Sequence, residues 1–439
     1  MMQNKKTKKN FMAIKVQKFS DTVNPFSGIS FVNDSFNKVG MSQLIDNELG
    51  SRVELFGYKY SDIFRNLTNV FLSGGDCIED ISGNLGEHLK SIPNNRVPSP
   101  DTVLRGIKEL SCDNINYTAE SGISYDFNIN LRLNKLNIKS LILTKQLESG
   151  LSYDFDYDNQ ILANNKYDAK RTYKKNKGYF PGIATINDKI VYVENRDGNA
   201  NVKFKQADTL RRSYELLSSE NITINRSRMD AGSYSKEVID IVDNYSKIFY
   251  IRANKSCSIF DQISEITNWQ SVEINYAKYE VASISFTQFF ADRNYRLVVM
   301  RKTTDNQQLD LFTKDNLEYR TILTNDIVST EKEVIVYYNQ RGCAEKTFDV
   351  MNNDFGWKHL PASFLNENHA FMIITAIIKN YYNYFVGVVS GVFNEIETTT
   401  RLKRFVFRFI TVSGKWVYQS RQWILKMFTN RPYEKLIFA

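Results

Sequence analysis

The sequence predicts a mixed α/β protein in which a helical N-terminal part precedes a core of alternating strands and helices. Three observations predict it. Apolar residues recur at helical spacing over 38–112, the pattern changes to strict alternation from about residue 151, and helical patterns return near residue 341. The chain has 439 residues, 42% of them apolar and 24% charged, which is enough for two or three domains. This composition excludes disordered, collagenous and coiled-coil proteins.

The N-terminal part reads as short helices joined by tight turns. The periodic segment 60–72 stops at Gly74-Gly75, and three of the seven prolines lie in 93–100. Ser99 is predicted to cap the next helix, with Pro100 in its first turn, where a missing N–H costs nothing. Helix-turn-helix DNA readers are built from such elements, and so are many other helical domains.

The core begins with a strand at 152–158, in which aspartates alternate with aromatic residues. Further strands are predicted at 180–185, 190–194, 221–230 and 248–251, with helices at 204–217 and 235–245. The order β-β-β-α-β-α-β is that of a ribonuclease H-like core, although many α/β proteins have a similar order of elements. Segment 253–330 predicts antiparallel strands at 272–284, 295–300 and 319–323, which we interpret as an inserted β-rich subdomain.

The positive charge is concentrated at the C-terminus. From Arg401 onward there are nine basic residues and one acid, Glu434, so this tail has a net charge of +8. The whole chain also has a net charge of +8, so the first 400 residues are neutral overall. A second basic run, without a single acid, precedes Asp21. Local positive excess favours a polyanionic partner such as nucleic acid, although a solubilising tail would have the same composition.

The sequence offers little for membrane, disulfide or histidine chemistry. No apolar signal segment follows the basic start, and Lys379 interrupts the most apolar stretch, 370–393, which we interpret as one or two buried helices. The four cysteines contain no C-x-x-C pair, which fits a reducing compartment, and only three histidines occur. We therefore expect a cytoplasmic protein whose metal ions, if it binds any, are held by carboxylates.

Acidic residues at strand ends are the first candidates for chemistry. Asp154, Asp156 and Asp158 share one face of the first strand, where they repel each other unless a cation lies beside them. Asp230 ends the fourth strand, which neighbours the first in this connectivity. A solvated face and an ordinary turn aspartate would give the same pattern.

A third candidate lies in the helical segment after residue 330. On one continuous helix, Tyr338, Arg341, Glu345 and Asn352 would share a polar face. A surface ion pair between Arg341 and Glu345 is the simpler interpretation, and it would contribute only a few tenths of a kcal/mol.

Together these residues resemble the DDE transposases of bacterial insertion sequences. The family signature of Tyr, Arg and catalytic Glu is matched by Tyr338, Arg341 and Glu345, while Asn352 replaces the family's Lys. Asp154-Phe-Asp156 matches the first catalytic position, at which we favour Asp156 and keep Asp154 as an additional acid. Arg228-Met-Asp230-Ala-Gly232 matches the second.

The resemblance implies a polynucleotidyl transferase with a ribonuclease H-like catalytic domain. Asp156, Asp230 and Glu345 would hold two Mg²⁺ ions, with Mn²⁺ as a substitute, and should converge within about 5 Å. Tyr338, Arg341 and Arg228 would contact DNA phosphate, and Lys415 and Arg421 of the tail would bind DNA electrostatically. The partners would be transposon inverted-repeat ends and target DNA, with a homodimer in the synaptic complex and no membrane.

The implied organisation has six parts. They are a basic flexible arm (1–20), a helical DNA-binding domain (21–145), the first part of the core (146–252), the β-rich insertion (253–330), the second part with the Glu helix (331–395) and a helical, basic aromatic tail (396–439). Trp416, Tyr418 and Trp423 could stack on distorted or flipped bases, but we expect most of them to lie in the core of a tail helix with the cations on its solvent side. Two other functions fit the sequence: a catalytically inactive, transposase-derived DNA-binding protein, favoured by Asn352, and a metal-dependent nuclease of the same fold.

Overall fold

The computed structural model describes residues 16–17, 22–52, 57–254, 256–290, 292–303 and 316–436. The basic arm predicted over 1–20 lies outside the described residues except for positions 16 and 17. No helix among the described residues is both long and apolar enough to cross a bilayer.

Helices form the N-terminal part and the segment after the sheet. The α-helices are α1 (Ile29–Lys38), α2 (Met41–Leu49), α3 (Tyr60–Leu72), α4 (Asp80–Gly83), α5 (Gly86–Lys90), α6 (Pro100–Glu109), α7 (Leu131–Leu143), α8 (Gln206–Ser219), α9 (Lys236–Tyr245), α10 (Cys257–Ser264), α11 (Glu331–Asn339), α12 (Cys343–Asp354), α13 (Leu365–Ser390) and α14 (Leu402–Phe405). Ser99 caps α6 as predicted, because its hydroxyl accepts a hydrogen bond from the Thr102 N–H. Residues 370–390 of the apolar segment belong to the single helix α13, which ends at Ser390.

The strands are β1 (Ile115–Thr118), β2 (Ser124–Asn128), β3 (Ser152–Asn159), β4 (Leu162–Ala163), β5 (Lys170–Arg171), β6 (Lys177–Tyr179), β7 (Gly182–Ile186), β8 (Lys189–Arg196), β9 (Thr223–Met229), β10 (Ser246–Arg252), β11 (Gln270–Ile274), β12 (Ala277–Phe286), β13 (Tyr295–Thr303), β14 (Leu317–Thr324), β15 (Gly414–Gln419) and β16 (Gln422–Met427). The predicted order of strands and helices from β3 to β10 is confirmed, apart from the small additional strands β4 to β6.

Within the described residues, eleven strands form one mixed sheet in the order β1-β2-β8-β7-β3-β9-β10-β14-β13-β12-β11. Strands β3, β9 and β10 are parallel, and the other neighbours are antiparallel. The strands predicted for 253–330 are present, but they continue the main sheet through the β10–β14 pair rather than forming a sheet of their own. The reason is that β14 returns antiparallel beside β10 and pairs with its otherwise open edge.

Two parts predicted to be helical contain β-hairpins. In the N-terminal part, β1 and β2 pair with each other and join the sheet at β8. In the tail, β15 and β16 form a hairpin whose turn carries Ser420 and Arg421 at φ 53° and 64°. Two successive residues in the left-handed region are typical of a type I′ turn, so local turn geometry defines this segment as a hairpin.

Three apolar clusters pack against the sheet. One contains the N-terminal helices, α12 and α13, the second contains α8 and α9, and the third packs α11 against β10 to β14. Helices therefore cover both faces of the central strands, which are buried there.

Buried asparagines hydrogen-bond the backbone N–H and C=O groups of β8 that have no partner on a neighbouring strand. Asn134 of α7 both donates to the Val193 carbonyl and accepts from the Val193 N–H, each at 2.8 Å. Asn380 of α13 accepts from the Ile190 N–H at 3.1 Å and donates to its carbonyl at 2.7 Å. Since β2 pairs only with the end of β8, these amides replace a missing neighbouring strand.

We predict that Asn134→Leu lowers the free energy of unfolding by about 1–3 kcal/mol, because it leaves the buried Val193 N–H without a partner. Denaturant unfolding would measure the change. The matched control is Asn47→Leu, at an exposed position of α2, which should stay within about 0.5 kcal/mol of the unsubstituted protein. Equal stability of the two variants would contradict this role of Asn134.

Candidate active site

The acidic face of β3 is neutralised by arginines from the neighbouring strand. Asp154 lies opposite Arg226 and Asp156 opposite Arg228 in the parallel β3–β9 register. Arg226 approaches Asp154 to 2.6 Å, and Arg228 makes a two-pronged contact with Asp156 at 2.7 and 2.8 Å. The predicted repulsion along this face is therefore relieved by guanidinium groups at its first two positions.

Asp156 and Arg228 form a buried pair. Asp156 is 2% exposed and Arg228 is 7% exposed. Burial raises the pKa of Asp156, and the Arg228 guanidinium opposes that shift. Arg228 also donates to the Tyr337 carbonyl at 2.9 Å, so its hydrogen-bonding groups are directed inward.

The next position along the face holds two carboxylates and no arginine from β9. Because Tyr157 pairs with Met229, Asp158 and Asp230 follow at adjacent carboxyl ends of the parallel strands. Burial raises the pKa of Asp158 to about 6, and the charge of Asp230 adds to the shift. Asp230 accepts a hydrogen bond from the Gly232 N–H at 2.9 Å, which holds its carboxylate at the turn after β9.

The end of α11 brings two further predicted residues to this carboxylate pair. Tyr338 is buried and donates to the Met229 carbonyl at 3.1 Å. Arg341 lies 3.2 Å from an Asp158 carboxylate oxygen, and its charge opposes the upward pKa shift of Asp158. Beside them, the Tyr337 ring lies under the guanidinium groups of Arg226 and Arg228, at 4.0 and 4.6 Å.

The predicted continuous Glu helix is interrupted. Between α11 and α12, residues Gln340–Gly342 form a 3₁₀ turn. Glycine is a poor helix former, and here Gly342 occupies the N-cap of α12. Arg341 therefore ends one element, and Glu345 lies in the first turn of another.

Glu345 does not join the carboxylate pair. Its side chain is exposed and lines a cavity of about 630 Å³ that also contacts Asp188 and Lys379. In the part of the chain that the structure describes, no group of three carboxylates that includes Glu345 lies within 4.8 Å. Further along α12, the Asn352 amide donates to Gln160 at 3.0 Å, just beyond the end of β3.

The structure thus brings Asp230, Tyr338 and Arg341 together and leaves Glu345 apart. Asp154, Asp156 and Arg228 are engaged in pairs within the sheet. Sequence reasoning placed Asp158 on the acidic face without assigning it to the site, and it lies beside Asp230, where we had expected Asp156. The sequence could have indicated this, because we expected the first catalytic acid at the end of its strand. Strand β3 runs to Asn159, so Asp158 lies nearer that end than Asp156.

One other cluster has the composition of a metal site. Asp76, Cys77 and Asp80 lie within 4.8 Å of one another. Asp80 already accepts hydrogen bonds from the backbone N–H groups of Asp76 and Cys77, and burial raises the pKa of the Cys77 thiol to about 11. These contacts explain the cluster as a cap on the turn before α4.

The tail residues predicted to bind DNA lie on the β15–β16 hairpin. Lys415 is on β15 and Arg421 is in the turn. The predicted helix core of Trp416, Tyr418 and Trp423 is wrong, because the three residues lie on a hairpin. Tyr418 and Trp423 are 61% and 50% exposed, and their ring centroids are 5.2 Å apart.

Comparison with known proteins finds a matching family model and similar solved structures. The family model described as "Transposase DDE domain group 1" matches residues 138–439. No curated protein matches the chain. A cryo-EM structure of a piggyBac transposase synaptic complex with hairpin DNA is similar over 88% of this chain and 80% of that one, with 14% identity and a TM-score of 0.39. At that score the likeness carries no argument about fold or function.

The matched region contains the whole of the site, from the last part of α7 through β3, β9, α11 and α12 to the tail hairpin. Since it covers more than half of the sequence, the chain belongs to the transposase DDE domain group 1 family.

Proposed function

We propose that this transposase binds the terminal inverted repeats of its element, cuts the DNA strands and joins them to target DNA. The observation that carries the proposal is the pair Asp158 and Asp230 at adjacent strand ends, with Arg341 beside it. The strand order β8-β7-β3-β9-β10, antiparallel and then parallel, supports a ribonuclease H-like core around this pair.

The carboxylate pair fits a divalent cation. Two neighbouring carboxylates, one with its pKa raised by burial and by the other's charge, are stabilised by a cation between them. Mg²⁺ prefers such oxygen ligands and retains several waters, so Asp158 and Asp230 would hold it, with Mn²⁺ as a substitute. When bound, the ion would activate the attacking oxygen and neutralise the leaving one in displacement at phosphorus.

The chain's own residues would position the DNA backbone. The Arg341 guanidinium, 17% exposed beside Asp158, presents further N–H donors to a phosphate oxygen at the sheet edge. Tyr338 would act as a positioning residue, since its hydroxyl is bonded to the end of β9. Glu345 remains in the proposal as the third carboxylate, supported by its place four residues after Arg341 in the motif.

We expect Asp158→Asn and Asp230→Asn each to reduce strand cutting at least 100-fold, since each removes a charged ligand. The assay is cleavage of DNA carrying the element's own ends, with Mg²⁺ or Mn²⁺. Asp154→Asn is the matched control on the same strand, partly exposed and paired with Arg226. Full cutting by Asp158→Asn would remove Asp158 from the site.

Asp156 and Asp158 should affect the stability of the folded state in opposite directions. Asp156→Asn leaves the Arg228 guanidinium buried without its counter-charge, so we expect a loss of about 3–5 kcal/mol. Asp158→Asn should instead raise the melting temperature at pH 7 in chelator, because it removes a buried carboxylate that Asp230 repels.

The gain in melting temperature expected for Asp158→Asn should depend on pH. Asp158 has a folded pKa of about 6, above the ordinary 3.8, so the folded state loses stability as pH rises through 6. The loss amounts to about 3 kcal/mol. The advantage of Asp158→Asn in thermal unfolding should therefore shrink from pH 7 to pH 4. A constant difference over this range would contradict the pKa shift.

For Glu345→Gln we expect loss of cutting with unchanged binding to the ends, as a neutral amide replaces the third proposed carboxylate. Gel-shift and cleavage assays on the same DNA would measure both. Glu397→Gln, at an exposed position after α13, is the control. Cutting that survives Glu345→Gln would remove Glu345 from the catalytic set.

A second function is favoured by the exposed position of Glu345, apart from the carboxylate pair. A transposase-derived protein that binds DNA ends without cutting them would tolerate this arrangement. It predicts tight, end-specific binding and no cleavage with any divalent metal, so the same assays distinguish it from the active enzyme.

A further inference from the structure

A small three-stranded sheet leaves the main sheet directly after the carboxylate site. Residues 160–181, which we call the small sheet, form β4, β5 and β6 between β3 and β7. They contain six basic residues and one acid, although the first 400 residues are neutral overall. Because Asn159 pairs with Gly182 in the β3–β7 register, the segment leaves and rejoins the main sheet beside Asp158. Positive charge is therefore concentrated next to the proposed metal site.

The small sheet is fixed to the edge of the main sheet at which the carboxylate pair lies. Strand β8 runs parallel to β3, because each is antiparallel to β7, so their carboxyl ends share one edge. At the end of β8, the Phe180 N–H donates to the Arg196 carbonyl at 2.9 Å. A Cβ at Gly198 would overlap the Gly178 carbonyl, so β6 and the chain after β8 are in direct contact.

The other side of the small sheet is anchored to the start of α13. The Tyr167 N–H donates to the Ser363 carbonyl at 3.1 Å, and the Asp168 carboxylate accepts from the Leu365 N–H at 2.6 Å. Asp168 also accepts from the Tyr179 hydroxyl. The one acid of the small sheet is therefore bonded to neutral donors, which leaves the basic residues without a counter-charge from this segment.

Four of the cations are exposed at the turn of the β5–β6 hairpin. They are Arg171, Lys174, Lys175 and Lys177. Within the described ranges, none of the four forms an ion pair. Buried Thr172 fixes the turn, because its N–H donates to the Asn176 carbonyl at 2.7 Å and its hydroxyl accepts from the Lys174 N–H at 3.2 Å. The charges are thus presented on a defined backbone.

Two of these cations face each other across the hairpin. Arg171 pairs with Lys177 in the antiparallel β5–β6 register, and the neighbouring pair is Lys170 with Gly178. Side chains paired in this way have Cβ atoms about 5 Å apart on one face, where like charges destabilise the sheet. An anionic ligand would turn this repulsion into attraction, so the like-charge pair points to an anionic partner.

The arrangement suits a chain of anions. Successive phosphates of duplex DNA carry one charge each, so several cations on one turn can contact neighbouring phosphates and release their counter-ions. Tyr167 and Tyr173 are 84% and 74% exposed beside the cations, and tyrosine hydroxyls also donate to phosphate oxygens. Lysine predominates among the four cations, and its compact charge contacts phosphate without reading a base.

We propose that the small sheet binds the sugar–phosphate backbone of the DNA duplex next to the phosphate that the carboxylate site attacks. The inference rests on the proposed function and extends it, because it assigns the backbone contact to the cations at the β5–β6 turn. The contact is independent of base sequence. It holds the duplex along the edge of the main sheet, so that Arg341 contacts one phosphate and the small sheet contacts its neighbours.

The test measures the affinity of the full chain for labelled duplex DNA in chelator, between about 50 and 200 mM NaCl. One duplex has the element's terminal sequence and the other has a mixed sequence. Lys174→Gln together with Lys175→Gln should weaken binding of both duplexes by about tenfold or more and reduce the slope of log affinity against log salt by about 2. The matched control, Lys247→Gln together with Lys278→Gln, removes two exposed lysines of β10 and β12 and should change neither value.

Arg171→Glu separates DNA binding from folding. It places an acid opposite Lys177, so the melting temperature should not fall, whereas the affinity for both duplexes should fall by about tenfold or more. Unchanged affinity and salt slope in both sets of variants would overturn the proposal. So would variants that change the oligomeric mass in light scattering and leave DNA affinity intact, since the partner would then be the acidic surface of a second copy.

Failure of this inference is distinguishable from failure of the proposed function. If only the inference is wrong, the unsubstituted protein will cut terminal DNA with Mg²⁺, and Lys174→Gln together with Lys175→Gln will bind that DNA with the original affinity. If only the proposed function is wrong, the unsubstituted protein will neither cut terminal DNA nor prefer it to the mixed sequence, while the same substitutions will still weaken binding and flatten its salt dependence.

Discussion

The site depends on the parallel pairing of β3 with β9 in one register. Two arginines of β9 lie opposite two aspartates of β3, and only the third position places carboxylate against carboxylate. A shift by one residue would turn these side chains to the other face, and a shift by two would place Asp156 opposite Asp230. Ion pairing along the sheet thus determines which acid reaches the strand end.

Docking of α11 depends on the same pairing. The Tyr337 ring and carbonyl contact the arginines of β9, and Tyr338 contacts the end of that strand. Arg341 then reaches Asp158 because the chain leaves α11 at this point. Tyr338 in α11 and Arg341 in the turn after it are therefore positioned by contacts with the ends of β3 and β9.

Much of this arrangement could be predicted from the sequence, and the rest depended on partners that periodicity does not reveal. Alternation located β3 and β9, and the motif indicated that Asp230, Tyr338 and Arg341 belong together. The sequence of β3 alone does not show that Arg226 and Arg228 are the counter-ions of its acidic face, so the pairing of Asp156 with Arg228 was not predicted. Asn134 and Asn380 likewise appear as ordinary helix residues until β8 is seen beside them.

The tail shows the opposite case, in which composition suggested a helix and local turn geometry produced a hairpin. Alternating residues of β15 and β16 separate an aromatic face from one with Lys415 and Lys426. Consecutive left-handed residues at 420 and 421 make that separation possible.

The charge ladder also constrains how the sequence can change over time. Replacing Asp156 alone leaves the buried Arg228 guanidinium without a counter-charge, and replacing Arg228 alone leaves the buried Asp156 carboxylate without one. Descendants of this gene can therefore substitute both members of that pair together far more readily than one. Asp158 and Asp230 are not coupled in this way, because the charge of Asp230 disfavours ionisation of Asp158. If the two acids hold a metal ion as proposed, loss of either one with the Asp156–Arg228 pair intact would leave a folded chain without that site.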